Sequence, residues 1–287
     1  MLALHALRTA SGAVGRNPVL FVVAAAFNLL QLPSLVAQFI SPLLGSLVSL
    51  LTTGLFVFVF PFLFAGVVGM ADEALRGKTS LGTFVASGRD HYVSMLAAYL
   101  LLFGASVVLG LAVFFGTLLL GGVAFAAGAG DVAGRTTVLV AVGLLLLGGF
   151  VLFVLPLFFV QFYGHAIVVD DLGAVAGLKR SVSCVRHNLL AVLGYTVVVG
   201  VVGAGFGVFG AVFSLLTSPQ LAGPEPGIGG AAPGTAAPPV PIDAPSVGPA
   251  VVVGVTVLFV LVSGVVGGFF AAYSTAFYRR IRPTPAG

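Results

Sequence analysis

Charge is what this chain has least of. Only 7% of its 287 residues are Asp, Glu, Lys or Arg, where a water-soluble domain uses roughly a quarter to cover its surface. With 59% hydrophobic residues and a mean hydropathy of +1.20, that shortage excludes a soluble globular reading. Cysteine is nearly absent as well. The single Cys184 cannot form an intramolecular disulfide, and no zinc or redox motif can be built from it alone. The apolar core between Pro18 and the small run Ala24–Ala26 is too short for a cleavable signal peptide, so the first apolar segment is expected to stay as an anchor.

What the chain has is long uncharged runs. Each of the segments 17–71, 91–130, 136–169, 187–224 and 244–278 exceeds the roughly 20 apolar residues that cross a hydrocarbon core. The first is long enough for two crossings, with Pro33, Ser34, Gln38, Ser41 and Pro42 marking the turn. The expectation is an all-α polytopic transmembrane bundle forming one membrane domain over 1–287. Its six spans are placed at about 18–34, 43–70, 92–120, 138–167, 189–216 and 250–277. Eight spans, with hairpins inside the third and fourth, are the competing count and require buried turns that lipid penalises.

Charge sets the orientation. Eleven of the twelve basic residues fall in four clusters: Arg8 and Arg16; Arg76, Lys78 and Arg89; Lys179, Arg180 and Arg186; and Arg279, Arg280 and Arg282. With six spans all four lie on one side and Arg135 alone on the other. The positive-inside rule makes that side cytoplasmic, placing both termini inside a multi-pass protein of the cell membrane. The net charge of +4 is therefore no nucleic-acid signature. The expected partners are the bilayer itself, anionic headgroups at the inner face, and proteins the sequence does not name. Arg8, Arg16, Lys179, Arg180 and Arg186 are the candidate contacts.

The segment Pro219–Pro249 holds nine prolines and six glycines in 31 residues. It reads as a disordered external loop. An internal repeat is more informative. In the segment before the fifth span, Val175, Leu178, Val182, Val185 and Leu189 recur at intervals of 3 and 4 and form one helical stripe. A shift of 171 residues back, or a comparison 74 residues on from the first copy, finds related segments before the first and third spans. The copies share polar junctions: Arg16-Asn17, Arg89-Asp90-His91 and Arg186-His187-Asn188. The plan is three hairpins, each preceded by an inner amphipathic helix lying in the headgroup plane. Thr79 and Asp171 are the expected N-caps of the second and third copies. The last cluster, Arg279-Arg280-Ile281-Arg282, reads as a plain stop after the final span.

Gly177-Leu178-Lys179-Arg180-Ser181-Val182 followed by Arg186-His187-Asn188-Leu189-Leu190 resembles a junction found before the fifth span in a haloarchaeal-type six-span membrane family of unknown function. It is similar to that in the membrane domain of some glycerophosphoryl diester phosphodiesterases. The overall plan extends the resemblance over nearly the whole chain. Trp, frequent within that junction, is absent here, and so is the phosphodiesterase's catalytic barrel, so hydrolytic activity does not follow. Arg in excess of Lys with abundant Ala, Gly and Val fits a GC-rich genome, haloarchaeal or actinobacterial.

Reactive constellations are scarce. No charged residue falls within a predicted span, where coupled transporters commonly place one. The four histidines, His5, His91, His165 and His187, show no metal-ligand spacing; no cofactor, metal or catalytic residue is assigned. Gly200, Gly203, Gly205, Gly207 and Gly210, and Gly264, Gly267 and Gly268 in the last span, are expected at close helix contacts. The candidate polar lining is Asn28, Gln31, Gln161 and His165, with His165 either a pH-sensitive gate or part of a capped helix end. Pro61 and Pro156 interrupt spans 2 and 4. The expectation is a non-enzymatic scaffold or bilayer-interacting bundle; the alternative is a transporter or channel subunit for a small or lipidic solute. An enzyme acting on lipids lacks a paired acid and base.

Overall fold

The computed structural model describes residues 2–30, 33, 37, 41–126, 132–217 and 249–283. Among them there is no strand. The helices are α1 (Leu2–Arg16), α2 (Val19–Leu29), α3 (Pro42–Arg76), α4 (Leu81–Asp90) and α5 (Tyr92–Ala126). They continue with α6 (Val132–Val160), α7 (Tyr163–Val169), α8 (Ala174–His187), α9 (Leu189–Thr217) and α10 (Pro249–Ile281).

Five stretches are long and apolar enough to cross a bilayer: Leu43–Arg76, Tyr92–Val123, Thr136–Val169, Leu189–Ala211 and Val253–Ile281. A sixth, α1 with α2, qualifies only as a bent pair. The eight-span count fails, because α5 and α6 are each one uninterrupted helix. Continuous helix is the solution lipid favours, since it satisfies every backbone group within the segment. Large apolar side chains face outward along these stretches, Leu51 at 73% and Val93 at 76% exposure among them. Apolar exposure on this scale suits hydrocarbon and not water. Of the expected disordered loop, only Pro249 is described, and it opens α10; residues 219–248 lie outside the described set.

Two compact units divide the chain. One contains Met1–Val19, Thr53–Leu193 and Ala271–Gly287, the other Leu20–Thr52 and Gly194–Phe270. In the second, Gly264 and Gly268 do what was expected of them. A Cβ on Gly264 would come within 2.9 Å of the Phe21 carbonyl oxygen, and one on Gly268 within 3.1 Å of Leu20 backbone. Gly200, Gly203, Gly205 and Gly207 do not: a Cβ on any of them would meet nothing within 4 Å among the described residues. Rings of Phe206 and Phe209 pack on Phe259 at 5.6 and 5.8 Å.

The first unit is built around Ala65, Met95, Ala98 and Ile167, with Phe162, Tyr273, Phe277 and Tyr278 also buried. The three expected amphipathic helices are present as α1, α4 and α8, and each breaks where its polar junction stands. Their buried face overlaps the apolar stripe, at Val185 and Leu178 in α8, but is completed by small residues outside it. In α8 the protein-facing side is Gly177, Ser181, Cys184 and Val185; in α1 it is Ala6, Ala10, Ala13 and Val14. Those two sets match position for position at a shift of 171 residues. Small side chains let the helix lie close to its neighbours. That leaves much of the stripe uncovered, with Val175 at 55%, Leu81 at 55% and Val85 at 44% exposure.

Two helix starts also differ from expectation. Ser80, not Thr79, caps α4, its Oγ accepting from Thr83 N at 3.3 Å. Asp171 is not the cap of α8, which begins after Gly173. It sits at φ 52° just past the end of α7, where Leu172 N donates to Ile167 O at 3.1 Å. This is the left-handed position and long-range bond of a Schellman ending.

Candidate functional site

The junction residues close three helix ends, Asn17 and Asn188 as matching clasps and His91 as a partial counterpart. Asn17 ends α1 buried, 2% exposed. One Nδ2 hydrogen goes to Ala13 O at 2.9 Å and the other to Gly77 O at 3.0 Å, while its Oδ1 accepts from Thr79 N at 2.8 Å. Asn188 repeats this at the end of α8, donating to Cys184 O at 3.0 Å and Ile281 O at 3.2 Å. His91 takes the same place after α4: Nδ1 lies 3.1 Å from Ser87 O and Nε2 3.3 Å from Asp171 Oδ1. In every copy the side chain closes its own helix on the carbonyl four residues back. It then reaches to the chain at the end of the second span of its own hairpin. A helix end left unpaired exposes orphan carbonyls, so Asn17 and Asn188 each satisfy two chain ends at once, while His91 closes its own helix and meets an exposed carboxylate at the other.

Two aspartates knit the clasps together. Asp72, 5% exposed, pairs with Arg76 one turn on and with Arg279 Nε at 2.6 Å. Asp170 accepts from Tyr278 Oη at 2.5 Å, from Arg282 Nη1 at 2.8 Å and from Arg180 Nε at 3.3 Å. Arg180 also donates to Pro283 O at 3.0 Å and Arg280 to Thr9 Oγ1 at 3.1 Å. Partial desolvation of Arg180 opposes its charge, but the hydrogen bond and charge of Asp170 win and hold the guanidinium above its ordinary value. Residues of three basic clusters are thereby bonded together, and the first segment joins them through Thr9 and Asn17. The sequence signal for these anchors was an acidic doublet at the end of two spans, Asp72-Glu73 and Asp170-Asp171, which reads as ordinary loop charge.

Of the candidate lining, Asn28 falls on α2 and Gln31 lies outside the described residues. Gln161 and His165 are on adjacent turns but bond separately. The helix breaks at Gln161-Phe162, five residues after Pro156, and side chains repair the break. Gln161 Nε2 donates to Phe158 O at 2.8 Å, Ser181 Oγ donates to Phe159 O at 3.0 Å, and Phe162 N donates to Ser181 Oγ at 3.0 Å. His165, 4% exposed, has Nε2 at 2.9 Å from Ser274 Oγ and sits among the rings of Phe64, Phe162 and Tyr278. Its Nδ1 is buried without a hydrogen-bond partner among the described residues.

Of the candidate inner-face contacts, Arg8, Arg16, Lys179 and Arg186 are exposed and Arg180 is half-buried against Asp170. Among the described residues no three His, Cys, Asp or Glu side chains converge as metal ligands would. The arrangement does electrostatic and structural work: it ties loops and presents cations. Compared with known proteins, residues 1–281 match a family described as a domain of unknown function, DUF7847. No curated protein and no solved structure matches the chain.

Proposed function

We propose that this chain, which belongs to the DUF7847 family, is a non-enzymatic scaffold of the cell membrane whose clasped amphipathic helices engage an anionic inner leaflet. The observation that carries the reading is the division of labour on α1, α4 and α8. Their small faces and junction residues are spent on the protein, while the apolar stripe stays uncovered at Leu81, Val85 and Val175. Exposed Arg8, Arg16, Lys179 and Arg186 accompany it. An uncovered stripe beside basic residues suits the headgroup plane, where each cation near the surface is worth about 1 kcal/mol.

Both termini are on the cytoplasmic side in this reading. The bonds that join the four segments carrying the basic residues support it, because segments joined by hydrogen bonds share one side of a bilayer, and the positive-inside rule names that side. The likeness to haloarchaeal-type proteins and to phosphodiesterase membrane domains extends the proposal to them as an architecture of clasped hairpins only. Two measurements test it. A cysteine at Gly77 labels from the cytoplasmic side and one at Thr136 from the opposite side; the reverse pattern overturns the orientation. In discs of mixed phosphatidylglycerol and phosphatidylcholine, the wild type enriches the anionic lipid around itself. Changing Arg8, Arg16, Lys179 and Arg186 to Gln returns that ratio to bulk, and unchanged enrichment sinks the leaflet reading.

A further inference from the structure

An open cleft of about 860 Å³ lies where α7 and α10 end, lined by Val169, Asp170–Leu172, Ala176, Lys179, Arg180, Ser183, Arg282 and Pro283. Its chemistry is divided. Val169, Leu172 and Ala176 supply an apolar wall; Lys179, Arg180 and Arg282 supply three cations, with the Ser183 hydroxyl beside them. The apolar stretches Thr136–Val169 and Val253–Ile281 stop at its edge, so the cleft begins where hydrocarbon gives way to headgroups.

The anions in the lining do not cancel the cations. Asp170 has its oxygens occupied by Tyr278, Arg180 and Arg282, so it acts as a fixture that aims two guanidinium groups. Each guanidinium carries five donors; those bonds, with Arg180 to Pro283 O, leave others unspent on side chains 29% and 35% exposed. The Asp171 carboxylate is 95% exposed and directed to His91. Three cations against two carboxylates leave a net positive cleft. Paired, preoriented Arg with an adjacent Lys is the donor set that phosphate oxygens match.

We propose that this cleft binds the phosphate of an anionic lipid headgroup, held by Lys179, Arg180 and Arg282, with the glycerol end against Val169, Leu172 and Ala176. The proposal rests on the leaflet reading above and adds a defined site to it. Free phosphate offers the same oxygens but has no use for the apolar wall, which favours the lipid.

The test uses the full chain in neutral detergent, titrated with short-chain phosphatidic acid, with the corresponding diacylglycerol and with inorganic phosphate. Wild type binds the phosphatidic acid, ignores the diacylglycerol and is competed weakly by phosphate. Lys179→Gln with Arg282→Gln weakens binding at least about tenfold, the loss of one or more charge-assisted bonds. Ala176→Trp fills the exposed apolar wall without removing a charge; it weakens lipid binding to a similar degree with an unchanged melting temperature. Arg89→Gln, exposed and outside the cleft, leaves binding in detergent at the wild-type level. Phosphate binding as tightly as the lipid overturns the lipid assignment, and unchanged binding in the two cleft variants overturns the site. If only Arg8→Gln with Arg16→Gln lowers anionic-lipid enrichment in discs, the cleft falls and the leaflet reading stands; if no variant changes anything, both fall.

Discussion

Asp170 gathers Tyr278, Arg180 and Arg282 on a carboxylate only 12% exposed. Removing one partner of such a group strands the others, and it is this stranding that makes broken ion pairs costly. Because both arginines keep part of their hydration, Asp170→Asn should cost about 1–3 kcal/mol rather than the full cost of a sealed pair, read as a lower melting temperature in detergent. Its neighbour behaves oppositely. Asp171 occupies a left-handed position, and its 95% exposed carboxylate keeps only a solvent-screened contact with His91; Asp171→Gly gives up that contact, worth up to about 1 kcal/mol, and relieves about 1 kcal/mol of backbone strain, so it should be close to neutral. Asp171→Val should lose about 1–2 kcal/mol; equal melting temperatures for the two variants would refute the backbone argument. None of this was legible in the sequence. Arg282 pairs with Asp170 across 112 positions, and no periodicity connects charges that far apart, so the doublet looked like loop decoration.

At the scale of the element, the sequence carried the periodicity and the polar junctions but hid which face was buried. The apolar stripe of α8 is the obvious pattern, yet only its Val185 and Leu178 turn to the core, and Gly177, Ser181 and Cys184 complete the face that packs. Small residues look featureless in a hydropathy reading, while close packing in a bilayer prefers them. Cys184 reports on this face. It is 1% exposed, and burial raises its thiol above the ordinary value. A thiol raised in the folded state favours folding fully below its unfolded value near about pH 8.5, and that contribution disappears as pH rises through the folded value. Maleimide should therefore leave the folded protein unlabelled at neutral pH and label it in dodecyl sulfate. Asn188→Ala frees the carbonyls of Cys184 and Ile281, should cost about 1–3 kcal/mol, and should admit the reagent. Asn188→His should restore part of the protection, since His91 makes the same closure in the second copy; no difference between Ala and His would break the correspondence of His91 to the clasps. Glycines divide the same way. Gly264→Val, driven into the Phe21 carbonyl, should lose about 1–3 kcal/mol, while Gly203→Ala, facing open space, should be neutral or gain up to about 1 kcal/mol of helix propensity.

Across the molecule, five of the long apolar crossings, the polar breaks and the grouping of basic residues follow from composition, because a bilayer leaves few options for an uncharged run. The role of the last cluster does not. Arg279, Arg280 and Arg282 read as a stop signal, yet the end of α10 contacts each of the other three basic segments. Arg279 reaches Asp72, Arg280 reaches Thr9, Arg282 reaches Asp170, and the Ile281 carbonyl receives Asn188. A stop signal needs only charge, whereas a hub needs these particular bonds, and the two roles separate experimentally. Changing Arg279, Arg280 and Arg282 to Gln removes three charges and leaves Asp72 and Asp170 without their α10 partners. Changing Arg8, Arg16 and Lys179 to Gln removes three charges that are exposed, where substitutions ordinarily stay within about 0.5 kcal/mol. The first set should lose about 2–4 kcal/mol, with the pair terms coupled because they share one helix end. It should also become open to limited proteolysis between Gly77 and Ser80 and between Asp170 and Gly173, the segments the hub pins. The second set should keep the wild-type melting temperature and cleavage pattern. Equal losses in both sets would return Arg279, Arg280 and Arg282 to the status of a stop signal.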